Sequence, residues 1–298
     1  MDYAAQQLLN ALSFGAEYAL IALGLAIVFS IMGLVNFAHG EVIAFGGYSL
    51  AVIGTVMTAS PIFLMAFVLI ACVAISVALE RVAFRTVRNA NITTGLLTAF
   101  GVSIILQNLY LLLGSPRPIP AQQFIFLAKT FNVGPIQVSS LQVYETLATV
   151  LAIIGLGLFL KRSNLGIAMR AASRDFLMVR LCGIRANRVV ATAFAISGLL
   201  AGLACIFIMA RRGSVTPHMG FDPVLTAFIA CVLGGFGSLP GAVLGGFILG
   251  FLEVGVLVLL PQSAGGLAQA AVFLVVALLL FWRPDGILTP TTEKGDKV

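Results

Sequence analysis

The chain has 298 residues, of which 60% are hydrophobic and only 9% are charged, and its mean hydropathy is +1.09. Ordinary soluble domains have about 25% charged residues, so this composition excludes that class and predicts a protein that crosses the membrane several times. The formal net charge of +6 does not indicate nucleic-acid binding, because the basic residues lie in loops between apolar runs without interleaved aromatic residues.

A helix needs about 20 apolar residues to cross the ~30 Å of hydrocarbon in a bilayer. We predict nine such segments, at 9–31, 37–58, 61–79, 94–113, 143–160, 189–210, 223–238, 241–260 and 266–282. The seventh is short enough to be re-entrant. The sequence therefore predicts an all-α, polytopic membrane protein of roughly 8–10 transmembrane helices, some of them broken or re-entrant. We expect one transmembrane domain over residues 1–298, because no polar stretch reaches the ~50 residues of a soluble domain.

The N-terminal residues carry no Lys or Arg and are atypical of a signal peptide, so we expect them to be retained.

The first glycine-rich stretch, GLVNFAHGEVIAFGGY, contains the densest polar cluster near an apolar run: Asn36, His39 and Glu41 around Gly40. Glycine permits a broken helix, and polar groups at membrane depth are costly enough to be functional candidates. Two interpretations stay open. The cluster lines or gates a solute path, or it caps the broken helix, with Glu41 near the helix dipole.

The segment 114–142 is the longest polar connection on its side of the membrane. It begins with SPRPIP and then alternates weakly between apolar and polar residues, which favours a small β-hairpin or a surface lid. A plain connector and a docking surface for an external protein are both compatible with this pattern.

The segment Lys161–Arg188 is basic and lies between two apolar runs. Its basic residues are Lys161, Arg162, Arg170, Arg174, Arg180, Arg185 and Arg188, against the single acid Asp175. The positive-inside rule places it in the cytoplasm. Asp175 is suited to cap a short helix that begins at Phe176, and Gly183 is suited to end it.

This placement fixes the orientation of the other segments. With alternating spans, thirteen of the seventeen Lys and Arg residues lie inside, Lys294 and Lys297 among them. We therefore expect a cytoplasmic C-terminus, an external N-terminus and an external 114–142 segment.

A second glycine-rich stretch, VLGGFGSLPGAVLGGFILG, predicts another helix break, and Gly237 and Ser238 become candidates for the solute path. Three glutamates, Glu17, Glu145 and Glu253, are isolated acids in the sequence, and we expect each of them to face a partner or to lie near an interface. Glu253 is the deepest in its span and is the best candidate of the three for a path-lining role.

No catalytic or metal-binding motif accompanies these segments. The four cysteines show no CxxC or Cys/His spacing, which predicts neither a metal site nor a disulfide framework. The sequence contains no GxxxxGK[ST], HExxH or GxSxG motif, so we expect neither an enzyme nor a chain that binds ATP or another cofactor itself.

Several motifs, in order, resemble the permease subunits of branched-chain amino acid ABC importers, the LivH type of hydrophobic amino acid transporters. They are GLAIVFSIMGLVNFAHGE (24–41), GIAMRAASRDFLMVRLCGI (166–184), AFAISGLLAGLACI (193–206), AFIACVLGGFGSLPGAVLGGFILG (227–250) and FWRPDGIL (281–288). The resemblance covers nearly the whole chain and implies the ABC importer permease fold. It departs from the usual pattern at Phe176, where a proline is common.

The resemblance also implies a coupling loop that inserts into an ATPase subunit. Its candidate residues are Arg170, Ala171, Ala172, Asp175, Leu181, Gly183 and Ile184. The implied partners are a second homologous permease subunit, two cytoplasmic ATPase subunits that bind ATP and magnesium, and an external or periplasmic solute-binding protein. The implied location is a bacterial or archaeal cell membrane.

The implied substrates are branched-chain amino acids. Relatives of the family also carry urea, short amides or aromatic acids, and the sequence does not choose among them or between a homodimeric and a heterodimeric permease pair. A stand-alone secondary carrier or channel is the alternative of another class. It predicts intramembrane ion ligands or paired carboxylates, whereas the spans contain scattered glutamates.

Overall fold

The computed structural model describes residues 2–56, 60–88, 90–134, 136–261, 266–284 and 286–288. The helices are α1 (Asp2–Met32), α2 (His39–Val56), α3 (Pro61–Leu79), α4 (Arg85–Val87), α5 (Ile92–Leu113), α6 (Ser140–Arg162), α7 (Asn164–Ala172), α8 (Phe176–Leu181), α9 (Ala186–Arg212), α10 (Phe221–Gly234), α11 (Leu239–Leu259) and α12 (Ala268–Trp282). A π-helical turn, Glu80–Phe84, joins α3 to α4. The strands are β1 (Ile119–Pro120), β2 (Thr130–Val133), β3 (Ile136–Ser139) and β4 (Ser214–Val215).

The nine predicted apolar segments all coincide with helices, which confirms the all-α membrane class. Within the described ranges, six helical segments are long and apolar enough to cross a membrane: α1, α3 with α4, α5, α6, α9 and α11. The remaining three are shorter: α2 has 18 residues, α10 has 14 and α12 has 15. The predicted short seventh segment is therefore confirmed as short. The cytoplasmic placement of Lys294 and Lys297 and the predicted end of the second segment at residue 58 lie outside the described residues.

Contacts between loops show which helix ends share a side of the bundle. The predicted hairpin is confirmed, since β2 and β3 pair in antiparallel fashion. The side chain of Gln6 bonds the backbone of Gln137, so the N-terminal end of α1 lies beside this hairpin. β1 pairs with β4, which brings the end of α9 to the same side. At the opposite ends, Arg88 bonds Asn187, which joins the end of α4 to the start of α9.

The helices differ greatly in how much of their surface the protein covers. In their most apolar stretches, 78% of the residues of α1 and of α9 are buried, against 17% in α5 and 22% in α6. Small residues allow the close packing of α1 on α11, because a Cβ at Gly246 would lie 2.4 Å from the Ala19 nitrogen. The bundle is therefore built around α1 and α9, with α5 and α6 at its margin.

Two helices begin inside the bundle. α1 ends at Met32. The next residue, Gly33, has a left-handed φ of +66°, and the chain then turns before α2 starts at His39. The His39 ring lies against Gly24 and Ser197, which are far from the ends of α1 and α9. The start of α10 meets the start of α2, because a Cβ at Gly40 would lie 2.3 Å from the Gly220 oxygen. The N-termini of two discontinuous helices thus meet inside the bundle.

Candidate functional site

His39, the first residue of α2, is fully surrounded by protein. Its exposed fraction is 1%, and its Nδ1 lies 3.0 Å from the Ser197 hydroxyl of α9. Its Nε2 is buried and has no hydrogen-bond partner among the described residues. Glycine at position 24 leaves room for the ring, since a Cβ there would lie 2.8 Å from Nε2.

Glu41, in the first turn of α2, is held by α5. Its Oε1 accepts hydrogen bonds from the Ser103 hydroxyl at 2.8 Å and from Gln107 Nε2 at 2.7 Å, and its backbone oxygen accepts one from the Tyr110 hydroxyl at 3.0 Å. The exposed His218 extends this network, with its Nδ1 3.2 Å from Gln107 Oε1. The carboxylate is therefore held by a neighbouring helix, and it also lies in the first turn of its own helix, near the positive end of the dipole. The path and the cap interpretations both stay open.

Three buried polar atoms at this helix start lack a partner in the described structure: Asn36 Oδ1, His39 Nε2 and Glu41 Oε2. Buried polar groups are nearly always hydrogen-bonded, and each one left unpaired costs about 1–3 kcal/mol. The positive dipole ends of α2 and α10 meet beside them, at Gly40 and Gly220. The arrangement offers acceptors for an ammonium group and a positive field for a carboxylate.

An apolar cavity of about 830 Å³ adjoins this network on the side of the hairpin. It lies between α2, α3 and α5, and its lining includes Phe45, Leu106 and Leu113. Tyr48 and Tyr110 also line it, with their rings stacked at 4.9 Å, and Tyr110 is the same residue that bonds Glu41. Tyr110 is therefore the residue that connects this cavity to Glu41.

Glu17 and Glu145 each face a partner, as we expected from the sequence, and the partner is the same arginine. Arg211, at the end of α9, binds Glu17 Oε2 at 2.7 Å and Glu145 Oε2 at 2.8 Å, and its guanidinium lies over the Phe14 ring. Glu145 also accepts a hydrogen bond from the Ser13 hydroxyl at 2.8 Å. We call these side chains the outer cluster; it ties α1, α6 and α9 together. Sequence reasoning missed it because the three helices are far apart along the chain.

Glu253 belongs with the outer cluster and not with the start of α2. It accepts a hydrogen bond from the Tyr18 hydroxyl. It lines a cavity of about 560 Å³ together with Glu17, Arg211 and Asp222. Its assignment to the solute path remains a prediction, but the structure separates it from Asn36, His39 and Glu41.

Gly237 and Ser238 lie at the helix ends beside the basic loop. Gly237 has a φ of +85°, and Ser238 caps α11 by accepting a hydrogen bond from the Gly241 amide at 3.1 Å. Both residues line a cavity of about 570 Å³ with Arg170 and Arg174 of the basic loop. They are therefore near the predicted coupling loop and are not part of the helix start at His39.

The predicted helix in the basic loop is confirmed as α8. Asp175 Oδ1 accepts a hydrogen bond from the Met178 amide at 2.9 Å, which is the predicted cap. Gly183 follows the helix with a left-handed φ of +77°. The sequence did not predict the separate helix α7, which Ser163 caps through the Gly166 amide.

α8 presents an uncovered apolar face. Leu177, Met178 and Leu181 are between 56% and 71% exposed, whereas Val179 is buried. The exposed members of the predicted coupling set are Arg170, Ala171, Asp175, Leu181, Gly183 and Ile184. Ala172 is different: it is 3% exposed and packs inside the chain. Its small size therefore serves packing within this chain, and it is not available at the surface.

Comparison with known proteins identifies the family. Residues 7–282 match the model of the family described as the branched-chain amino acid transport system / permease component. The chain belongs to this family. It is 37% identical to the high-affinity branched-chain amino acid transport system permease protein BraD of Pseudomonas aeruginosa, over 97% of each chain. It is 34% identical to the corresponding LivH protein of Escherichia coli over 98% of each chain. It is 24% identical to a probable LivH of Methanocaldococcus jannaschii over 93% of this chain and 90% of the relative.

Sequence reasoning missed several polar residues of this permease. Ser103, Gln107 and Tyr110 follow one another at intervals of four and three, which places them on one face of α5. That spacing was a usable signal, because polar residues on one face of an apolar helix indicate a protein-facing side. Ser197 gave no such signal, since single serines are common in membrane helices.

Proposed function

We propose that this chain is the permease subunit of an ABC importer for branched-chain amino acids. The observation that carries the proposal is the family match over residues 7–282, with relatives of that named function similar over nearly the whole chain. The chain would form the translocation path, and partner ATPase subunits would bind ATP and magnesium. A solute-binding protein outside the membrane and a second permease subunit would complete the importer.

The start of α2 is our candidate for the substrate path and its gate. A branched-chain amino acid carries an ammonium, a carboxylate and an aliphatic side chain. Glu41 Oε2 and Asn36 Oδ1 are acceptors for the ammonium, and the facing helix N-termini favour the carboxylate. The neighbouring apolar cavity of about 830 Å³ suits the side chain. His39 and Gly40 would position these groups.

The basic loop is our candidate for coupling to the ATPase. The exposed apolar face of α8 needs an apolar partner, because a patch that stays in water is unfavourable. The loop also contributes Arg170 to a cavity beside Gly237 and Ser238. A movement of α7 and α8 could therefore be transmitted to the loop before α11. Binding of ATP would shift the permease between its two states only through such differential contacts.

Uptake in cells tests the substrate and the class of transporter. The chain and its partner subunits would be expressed in a strain without its own branched-chain uptake, and entry of radiolabelled leucine, isoleucine and valine would be measured. We expect uptake that disappears when the ATPase partners are inactivated. Uptake of urea, acetamide or phenylalanine without leucine uptake would overturn the substrate, and leucine uptake independent of the ATPase would favour a stand-alone carrier.

A charge placed on α8 tests the coupling assignment. Leu181→Asp should abolish substrate-stimulated ATP hydrolysis, because it puts a carboxylate on the apolar face that meets the ATPase. Phe131→Asp, on the exposed external hairpin, is the matched control and should leave hydrolysis unchanged. Normal stimulated hydrolysis in the Leu181 variant would remove α8 from the coupling path.

The orientation is tested by labelling single cysteines. We propose that 161–188 and the C-terminus face the cytoplasm and that 114–142 faces outward, as the basic residues indicate. Cysteines at Asn164 and Gln122 in a Cys-free chain should react with an impermeant reagent from opposite sides. Labelling of both positions from one side would contradict this orientation.

A further inference from the structure

A second feature of the cytoplasmic side is a pocket rich in arginine. It has a volume of about 670 Å³ and lies between the end of α4, one face of α8 and the start of α9. Its arginines are Arg85, Arg88, Arg180, Arg185 and Arg188. No Asp or Glu is among the described residues that line it. Gly183 and Ile184 of the predicted coupling set also line the pocket, but neither the helix-break site nor the exposed apolar face of α8 accounts for its arginines.

Only one of the five arginines has a carboxylate partner in the described part of the chain. Arg88 binds the buried Glu80 at 2.6 Å and donates to Asn187 at 2.8 Å, while its Nε has no partner. Five arginines against one glutamate leave four positive charges uncompensated. Burial lowers the pKa of the Arg88 guanidinium, Glu80 opposes this, and the charges of Arg85 and Arg180 lower it further. The pocket therefore concentrates positive charge.

The start of α9 adds a second source of positive potential. Ala186 and Asn187, the first two residues of this 27-residue helix, line the pocket. The first amides of a helix have no partner within it and carry the positive end of its dipole. The residue before them, Arg185, makes no side-chain cap. Guanidinium groups combined with free helix amides are typical of sites for phosphate groups.

The pocket lies on the side of α8 that carries Phe176 and Arg180, and not on its exposed apolar face. Phe176 and Arg180 are one turn apart and line the pocket, whereas Leu177 and Leu181 are exposed on another side of α8. A group bound here would contact α4, α8 and α9 at once. Val82, in the π-helical turn that precedes Arg85, is 79% exposed and offers an apolar surface for lipid.

We propose that this pocket binds a phosphate-bearing anion that fixes α8 to the ends of α4 and α9. The phosphate can come from the headgroup of an anionic lipid of the inner leaflet or from soluble phosphate. In both cases the anion compensates the arginine charges and holds α8 in one position. Its effect on coupling rests on the proposed function, but its binding does not.

Binding is tested on the purified full-length chain. The probes are phosphatidylglycerol, phosphatidylcholine with the same acyl chains, and inorganic phosphate, each followed by native mass spectrometry and thermal unfolding. Replacing Arg85 and Arg188 together by Gln should weaken anion binding about 30-fold, since each basic residue near a membrane surface contributes about fivefold. Arg85→Lys with Arg188→Lys should keep most of the affinity.

The matched control is Arg117→Gln with Lys129→Gln, which removes two exposed charges from the external segment. Selective retention of phosphatidylglycerol identifies the lipid source, and stabilisation by inorganic phosphate without lipid identifies the soluble source. Equal anion binding by the wild-type chain and the Gln variant would overturn the proposal. So would a Gln variant that binds anions normally but no longer copurifies with the ATPase, because the pocket would then be a protein interface.

The effect on coupling is tested with the assembled importer. Substrate-stimulated ATP hydrolysis should be higher in liposomes that contain phosphatidylglycerol, or in added phosphate, than in phosphatidylcholine alone, and the Gln variant should not respond. Anion binding without this response would leave the site but remove its role in coupling. Failure of leucine uptake by the wild type would count against the proposed function and not against the site.

Discussion

The outer cluster and the start of α2 are both polar regions inside an apolar bundle, but the partners of their carboxylates differ. In the outer cluster, the Arg211 guanidinium binds the carboxylates of Glu17 and Glu145 at 2.7 and 2.8 Å. At the start of α2, Glu41 is held by neutral donors, and three polar atoms at three residues stay unpaired in the described structure. A charge paired at short range ties helices together. The polar atoms at the helix break keep unused hydrogen-bonding capacity, and we propose that a ligand uses it.

We expect the largest loss of stability when the ion pairs of the outer cluster are broken. Arg211→Gln leaves Glu17 and Glu145 without their cation, and Glu145 is fully buried. Removing one partner of a buried ion pair costs about 3–5 kcal/mol, and the low end is expected here because a third of the Arg211 side chain is exposed. The free energy of unfolding in detergent measures this loss.

The neighbouring Arg212→Gln is the matched control, since Arg212 is exposed and forms no salt bridge within the described residues. Adding Glu145→Gln to Arg211→Gln should recover part of the stability, because the buried unpaired charge is then removed. An Arg211 variant as stable as the Arg212 variant would contradict the structural role of the outer cluster.

The second prediction concerns the meeting of the two helix starts. A Cβ at Gly40 would lie 2.3 Å from the Gly220 backbone oxygen, so Gly40→Ala must push α2 away from α10. Overpacking of this kind costs about 1–3 kcal/mol, and we expect transport to be lost as well because the site is displaced. Unfolding and leucine transport are measured on the same preparations.

Gly155→Ala on α6 serves as the control, because nothing lies within 4 Å of the added carbon and alanine favours a helix. It should leave stability and transport unchanged or slightly raise stability. Equal behaviour of the two variants would show that the close approach of α2 and α10 is not required.

Local features of this fold followed from the sequence, and long-range ones did not. The apolar segments, the cap at Asp175 and the left-handed Gly183 depend on residues a few positions apart, and the structure agrees with them. The pairing of Arg211 with Glu17 and Glu145 joins three distant helices, so no local pattern contains it.

The sequence also did not predict which helices the rest of the protein buries. α1 and α5 are both apolar enough to span a membrane, yet their apolar stretches are 78% and 17% buried. Lipid is as apolar as a protein core, so hydropathy does not separate the two environments. For the candidate site, the sequence predicted Asn36, His39 and Glu41, but it missed the α5 side chains that hold Glu41 because they lie more than sixty residues away.

The smallest loss of stability is predicted at Asn36, and this variant tests the central claim about the start of α2. Asn36 Oδ1 has no partner among the described residues, so Asn36→Ala should change the free energy of unfolding by less than about 1 kcal/mol. Glu41→Gln keeps the size of the side chain and removes its charge. Asn91→Ala is the control, since Asn91 is exposed and its side chain makes no cap.

The decisive measurement is the rate of leucine transport in reconstituted vesicles, normalised to the amount of assembled importer. The account predicts that Asn36→Ala and Glu41→Gln lower this rate about tenfold or more, the equivalent of one lost ligand contact, while Asn91→Ala matches the wild type. Equal normalised rates in the wild type and both site variants would contradict it and leave the start of α2 with a structural role alone.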